Sequence, residues 1–316
     1  MTTNSTNSRG PRLSISQIST LASSFDDDLA VYSAAGLDGI GIWESKLPPG
    51  GSDGPALEAF RSSGLDAASA VPLLPSPLPL PLLGGPADPQ ERLDSLCASV
   101  HRLAAFGAPG IVCLTGTGLG RDPDDARAIV VDALRTLARE AQLAGTRIAL
   151  EPYQADSGEQ WSIAATIPDA LALIAEAGGH ESLGIQFDVW HLWNTPDVLD
   201  DVADQIDRIA GVHICDVRQE TRCWADRVLP GDGIADVGAL VGALDAAGWD
   251  GLYDLEIFSD NGAFGNPLPD SLWNLSADEL ALRGRAALVT AWNGRRQLAS
   301  VSNDTKHSNT QHREGA

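Results

Sequence analysis

RTLAREAQLAGTRIALEPY, residues 135–153, carries the pattern that decides the fold: an amphipathic helical run gives way to a short apolar strand that ends in a carboxylate, Glu151. The helical pattern extends over 123–144 and the strand over Arg147–Glu151. A change from helical to continuous apolar spacing marks such a boundary. Outward from this unit the alternation repeats. Strands are predicted at Leu13–Ile18, Gly39–Trp43, Leu65–Val71, Gly110–Leu114, Leu183–Asp188, Gly211–Cys215 and Gly251–Ile257, and helical patterns lie near 26–35, 53–63, 89–106, 165–177, 197–208, 236–247 and 276–297. Strands too apolar to have a wet face imply a parallel sheet covered by helices, and eight such units over roughly 250 residues are the size of a closed barrel. The predicted fold class is therefore α/β, a single-domain (β/α)8 TIM barrel over 13–298. The ends, 1–12 and 299–316, are rich in Ser, Asn, Thr and His without apolar periodicity and are read as disordered tails. An open doubly wound sheet fits less well, because no Gly-rich phosphate loop follows the first strand.

A chain of 316 residues that is 43% hydrophobic is able to bury a full core. Its formal net charge of −22 repels phosphate, and its 21 Lys and Arg form no basic patch, so no nucleic-acid partner is expected. No run approaches the roughly 18 to 20 apolar residues of a membrane span, and the start MTTNSTNSRG lacks the apolar core of a secretory signal. A cytoplasmic protein without membrane association is expected, acting on a small molecule, with homo-oligomerisation left open. Cys97, Cys113, Cys215 and Cys223 form no CxxC pair and read as reduced structural thiols.

In a barrel the catalytic groups project from the carboxyl ends of the strands. Four polar residues end otherwise apolar runs: Glu151 in RIALEPY, Asp188 in GIQFDVWH, His213 in GVHICD and Glu256 in LYDLEIF. Three carboxylates and one imidazole make an oxygen-rich site suited to a single divalent metal, Mn²⁺ first, then Mg²⁺ or Co²⁺. Each carboxylate alone is well explained by a salt bridge; all four groups on successive strands are better explained by the metal.

EPY, FDVWH, GVHICD and DLEIFSD resemble the metal motifs of the xylose isomerase-like superfamily of sugar isomerases and epimerases, and the resemblance covers nearly the whole barrel. It implies that Glu151, Asp188, His213 and Glu256 bind one metal, and that Glu151 and Glu256 form an acid/base pair on opposite sides of the substrate. The expected activity is a metal-dependent isomerase or epimerase of a sugar, sugar acid or cyclitol, working through a metal-stabilised enediolate. Two other readings stand beside it. One is a lyase that dehydrates a keto-cyclitol or cleaves a keto-glycoside by β-elimination; the other is a metal-binding partner subunit without catalysis. Endonuclease IV, also in the superfamily, needs more strand-end histidines than His191 and His213.

The FDxxH pattern suggests that His191 bonds a substrate oxygen. Arg218, Arg222 and Arg227 lie in VRQETRCWADRVLPGDG after the seventh strand; Arg218 is the first choice for a substrate contact, and surface exposure is the alternative. Glu44, ending GIGIWE, reaches either the pocket or an ordinary salt bridge, while Asp216 reads as a supporting or turn residue. Trp43, Trp161, Trp190, Trp193 and Trp224 fall at strand ends or the loops beyond, where indole faces stack on sugars or bulkier rings or simply fill core. The proline-rich PLLPSPLPLPLLGGPADP, 72–89, is read as a lid or wall, with a partner contact as the alternative. The insertion FSDNGAFGNPLPDSLWNLSADEL after the eighth strand is expected to cover the metal site, or else to form a subunit contact, with a capping box starting a helix at Ser276.

Overall fold

The apolar runs become strands buried on both faces. In the computed structural model, which describes residues 10–80, 84–118, 120–153 and 161–310 (backbone only from 296), the strands are β1 (Arg12–Ser16), β2 (Gly39–Trp43), β3 (Asp66–Val71), β4 (Gly110–Cys113), β5 (Arg147–Leu150), β6 (Leu183–Asp188), β7 (Ile209–Ile214), β8 (Asp216–Val217), β9 (Arg227–Val228) and β10 (Leu252–Leu255). Eight of them close a parallel barrel in the order β1-β10-β7-β6-β5-β4-β3-β2, while β8 and β9 form a separate antiparallel ribbon beyond β7. The helices are α1 (Phe25–Ala34), α2 (Gly54–Ser63), α3 (Pro89–Ala104), α4 (Pro123–Ala144), α5 (Ile167–Glu176), α6 (Val189–Leu192), α7 (Val198–Asp204), α8 (Val237–Ala247) and α9 (Ala277–Thr310). Local chemistry sets their starts. Asp88 and Asp122 cap the first amides of α3 and α4, each with proline in the first turn, and Thr166 with Asp169 makes a reciprocal capping box on α5.

The (β/α)8 barrel read from the sequence is thus the fold, with differences at the edges. β7 starts at Ile209, because Ile209 and Ala210 extend the apolar run toward the amino end. β5 and β10 stop one residue before Glu151 and Glu256, yet both glutamates still donate their amides to the neighbouring strand, to the carbonyls of Cys113 (2.9 Å) and Ile214 (3.0 Å). α6 was not in the alternating pattern; it forms because the Asp188 side chain accepts the Trp190 amide at 2.6 Å and turns the chain immediately after β6. α9 continues as helix through residues 299–310, which composition assigns to a tail: once the packed part from Ala277 is nucleated, each further residue adds a hydrogen bond at little cost. Residues 1–9 and 311–316 of the expected tails lie outside the described residues.

Aliphatic side chains such as Ile15, Ile40, Ile111, Ile148, Ile185 and Leu255 fill the barrel-to-helix core. No helix among the described residues is long and apolar enough to cross a membrane. The proline-rich segment lies against the chain beyond β4: Leu114, Leu78 and Thr117 donate their amides to the carbonyls of Pro75, Thr115 and Pro79. A side chain at Gly116 would meet the Leu78 carbonyl oxygen at 2.1 Å, so this close pairing requires glycine. Arg92, fully buried, donates to the carbonyls of Ser76, Gly84 and Pro86 and to the Ser76 hydroxyl, strapping the segment to α3. Residues 81–83 lie outside the described residues.

Candidate metal and active site

Strand register brings the polar strand ends to one level. Asp188 on β6 lies opposite His213 on β7, which in turn lies opposite Asp254 on β10. His213 Nδ1 faces three carboxylate oxygens, Glu256 Oε2 at 3.3 Å, Glu151 Oε1 at 3.5 Å and Asp188 Oδ2 at 3.6 Å, and all four residues are buried. Neither His213 Nδ1 nor Glu151 Oε1 makes a hydrogen bond. Orphaned buried atoms of this kind need a partner, and ligand atoms of Glu151, Asp188 and His213 all lie within 4.8 Å of one another, close enough to share one cation.

The electrostatics point the same way. Burial, reinforced by Asp188 and Glu256, pushes the Glu151 carboxyl up to about 7 against the pull of His213. Burial opposes a charge on His213, yet the surrounding carboxylates outweigh it and raise the imidazole pKa well above its ordinary value. Burial also opposes ionisation of Asp188, but Arg227, His191 and His213 hold its pKa below the usual range. The cluster is short of positive charge, and a divalent cation fits that deficit.

Behind the cluster, His213 Nε2 lies 3.1 Å from the Ser69 hydroxyl, which donates to Asp254 Oδ2 at 3.2 Å. With Asp254 ionised, the hydroxyl oxygen accepts from Nε2–H, which leaves Nδ1 as the nitrogen a cation would take in place of its proton. Asp254 itself fits because β2 has glycine opposite: a side chain at Gly41 would meet Asp254 Oδ2 at 2.1 Å. Burial raises the Asp254 carboxyl to about 7.

Of the three arginines after β7, the one in the site is Arg227, not Arg218. Arg227 Nη1 donates to Asp188 Oδ2 and Glu256 Oε2, both at 2.9 Å, and its guanidinium lies over the rings of Trp190 and Phe258. Arg218 and Arg222 instead pair with Asp226 and Asp270 at the surface. The antiparallel β8–β9 ribbon explains the choice, since it folds Arg227 back over the barrel mouth. Asp216, whose carboxylate accepts the amides of Val217, Gly231, Gly233 and Ala235, holds the turn in place.

Arg227 Nη2 lies 3.4 Å from His191 Nε2, so Nε2 is the acceptor and the imidazole proton sits on Nδ1, a buried donor with no partner. Burial lowers the His191 pKa to about 3, keeping it neutral, and its ring packs on Tyr153 at a centroid separation of 3.7 Å.

A cavity of about 390 Å³ opens above these groups. Glu151, Glu256, His191 and Arg227 line it, whereas Asp188 and His213 do not. Trp43, Trp161 and Trp224 also line it; Trp190 and Trp193 face a neighbouring pocket of about 310 Å³ with Arg218 and Trp224. Glu44 is held elsewhere, accepting the Leu73 amide at 2.9 Å and Arg102 Nη1 at 3.2 Å, so the salt-bridge alternative describes it. Pro72, Leu73 and Pro75 of the proline-rich segment and Phe258 and Phe264 of the insertion complete the wall. The insertion is shaped by Asp260, which accepts the amides of Gly262, Phe264 and Asn266, and Ser276 caps α9 through the Glu279 amide.

Sequence reasoning passed over Tyr153, Ser69 and Asp254. Asp254 had a signal: residues two apart in a strand share a face, so Asp254 points inward with Glu256 in LYDLEIF. Ser69, in an alanine-rich strand, had none.

A family model described as xylose isomerase-like TIM barrel matches residues 29–282. The probable endonuclease 4 of Pediococcus pentosaceus is 27% identical over 145 residues, 43% of this chain and 47% of that protein, so the chain spans about half the length of the curated relative it matches. Among solved structures, a protein of Sinorhizobium meliloti 1021 is 25% identical with a TM-score of 0.74, covering 90% of this chain and 98% of that one. An L-ribulose 3-epimerase is 20% identical with a TM-score of 0.73, covering 93% of this chain and 98% of that one.

Proposed function

The chain belongs to the xylose isomerase-like TIM-barrel family, and we propose that it is a divalent-metal-dependent isomerase or epimerase of a sugar, sugar acid or cyclitol, with Glu151 and Glu256 as its acid/base pair. One observation carries the reading: of the four clustered residues, the two glutamates line the cavity while Asp188 and His213 sit behind them. Glu151, Asp188, His213 and Glu256 would hold the metal, with Mn²⁺ the first choice for three oxygen ligands and one nitrogen. When bound, the metal supplies Lewis-acid polarisation of a substrate carbonyl and its neighbouring hydroxyl.

The chain's own groups do the rest. Glu151 removes the proton beside the carbonyl and Glu256 returns one from the other side. Neutral His191 donates its free Nδ1–H to a substrate oxygen, and Arg227 holds Asp188 ionised and orients both Asp188 and Glu256. The structural likeness to an L-ribulose 3-epimerase supports the reaction class. The partial likeness to an endonuclease is not carried over, because a net charge of −22 opposes phosphate binding and the site has only His213 and His191 among its described residues.

The test is elemental analysis joined to deuterium exchange from heavy water into ketoses, keto-cyclitols and keto-glycosides. About one Mn, Co or Mg per chain with exchange into an interconverted sugar supports the proposal. Elimination products would assign a lyase instead, and failure to retain metal after reconstitution would sink the four-ligand site.

A further inference from the structure

Above its charged floor the cavity is walled by rings. Tyr153 and Trp161 stack with centroids 5.3 Å apart and planes 5° from parallel; Trp161 meets Trp224 at 5.3 Å, and Trp224 meets Phe258 at 5.5 Å and Phe264 at 5.2 Å. Trp43 continues the wall against Phe258 at 5.7 Å, its indole N–H already given to the Ser16 hydroxyl. Beside the rings the lining is aliphatic, from Val71, Leu73, Val112 and Leu114, three of which pack in one cluster with Tyr153 and Trp161. Among the described residues, the charged lining groups Glu151, Arg227 and Glu256 and the neutral His191 are on the floor, and Ser45 lies at the other side.

A free ketose carries a hydroxyl on nearly every carbon. Two or three of these find partners on the floor, but most of the remainder would be desolvated against ring faces and branched aliphatics, which take no hydrogen bond. An aromatic group suits the same wall, since the rings present faces and edges at mutual angles of 37°, 54° and 77°, the offset and edge-on arrangements that aromatic contacts favour. A volume of about 390 Å³ lies within the range of pockets for small organic ligands.

We propose that the substrate is a hydroxycarbonyl compound bearing an aromatic substituent, its polar end on the Glu151–Glu256 floor and its ring against Trp161, Trp224, Phe258 and Phe264. This rests on the function proposed above for where the polar end sits; the wall itself is independent of the chemistry.

A matched pair tests it: phenyl and methyl β-D-glucopyranoside, each oxidised to the ketone at C3, titrated into the Mn²⁺-loaded full chain by calorimetry and by quenching of tryptophan fluorescence. The phenyl compound is expected to bind at least tenfold more tightly, and equal affinity overturns the inference. In Phe264→Ala, and separately in Trp224→Leu, the preference should fall below threefold with the melting temperature retained; an unchanged preference in a folded variant also overturns it. Deuterium exchange run on the same pair separates the two claims. Exchange into both without a phenyl preference leaves the acid/base pair standing and removes the aromatic substrate, whereas phenyl preference without exchange supports the wall and removes the acid/base pair.

Discussion

The two halves of the barrel contribute differently to the cavity. From β1 to β4 and the loops after them come Ile18, Trp43, Val71, Val112 and Leu114, with Ser45 the polar exception; among the described residues every charged lining group, Glu151, Arg227 and Glu256, comes from β5 to β10, as does the neutral His191. Even Glu44, the acid at the end of the first half's β2, is drawn away by Arg102 and the Leu73 amide. Charge thus comes from one half alone, whereas apolar lining comes from both, the aromatic wall of Tyr153, Trp161, Trp224, Phe258 and Phe264 belonging to the charged half. Concentrating Glu151, Asp188 and Glu256 on one side, with Arg227 pairing two of them, leaves negative charge in excess and buried, which shifts pKa values and attracts a cation; dispersing the carboxylates would have relaxed both effects.

The sharpest way to break this division is to alter a floor carboxylate without changing its size. Glu256→Gln is expected to reduce turnover by about a thousandfold or more while the circular dichroism spectrum stays that of a folded barrel, because proton transfer by a positioned carboxyl is worth roughly 10²–10⁴. Steady-state kinetics on the substrate found by deuterium exchange makes the measurement. Retained activity would mean that the charged half does not perform the chemistry.

Next in size is the contrast between two arginines of the same loop. Arg227→Ala leaves Asp188 and Glu256 without the guanidinium that bridges them at 2.9 Å, and is expected to lower kcat/KM about a hundredfold. Arg227→Lys should restore little, since a single ammonium does not reproduce the planar fork over Trp190 and Phe258. Arg218→Ala, which removes a surface partner of Asp226 and Asp270, should leave kcat/KM within about threefold.

A pH series sharpens the comparison further. In metal-free protein, folding raises the carboxyls of Glu151 and Asp254 to about 7 from ordinary values of 4.5 and 3.8. Groups raised in this way contribute stability that is complete below the unfolded values and is lost as pH climbs through the folded ones. The melting temperature of metal-free protein should therefore fall by several degrees between pH 5 and pH 8, and Mn²⁺ should restore more of it at pH 8. Calorimetric scans with and without metal measure this; a metal-free melting temperature that rises over the window would contradict the buried, charge-deficient floor.

The charged half was also the more legible in the sequence. Each of Glu151, Asp188, His213 and Glu256 interrupts an apolar run, so strand periodicity placed them at one end of the barrel before any contact was known. Arg227 was harder to read. Its position depends on the β8–β9 ribbon, two residues on each strand, whose register follows from the Asp216 turn rather than from any periodicity. Loop aromatics divide for the same reason: Trp224 and Phe264 reach the cavity while Trp193 faces the neighbouring pocket, and loop sequence has no repeat to say which. Ser69 and Gly41, set by close approach across the barrel interior, belong to packing that only the closed sheet reveals.

The smallest expected effect tests the neutral half. Glu44 ends β2 at the same end of the barrel as the floor carboxylates, and by position alone it would join them. Its carboxylate is instead buried against Arg102, whose guanidinium also binds Asp53 through two donors at 2.6 and 2.8 Å. Glu44→Gln keeps an oxygen for the Leu73 amide and removes one charge from a pair that Asp53 partly replaces, so the cost should be about 1 kcal/mol, toward the upper end for an ion pair near the surface. Chemical denaturation would read that loss directly, while kcat/KM should stay within about twofold because the group does not line the cavity. If Glu44→Gln instead lost activity a hundredfold at unchanged stability, a third carboxylate, beside Glu151 and Glu256, would act on the substrate from the half that otherwise supplies only neutral lining.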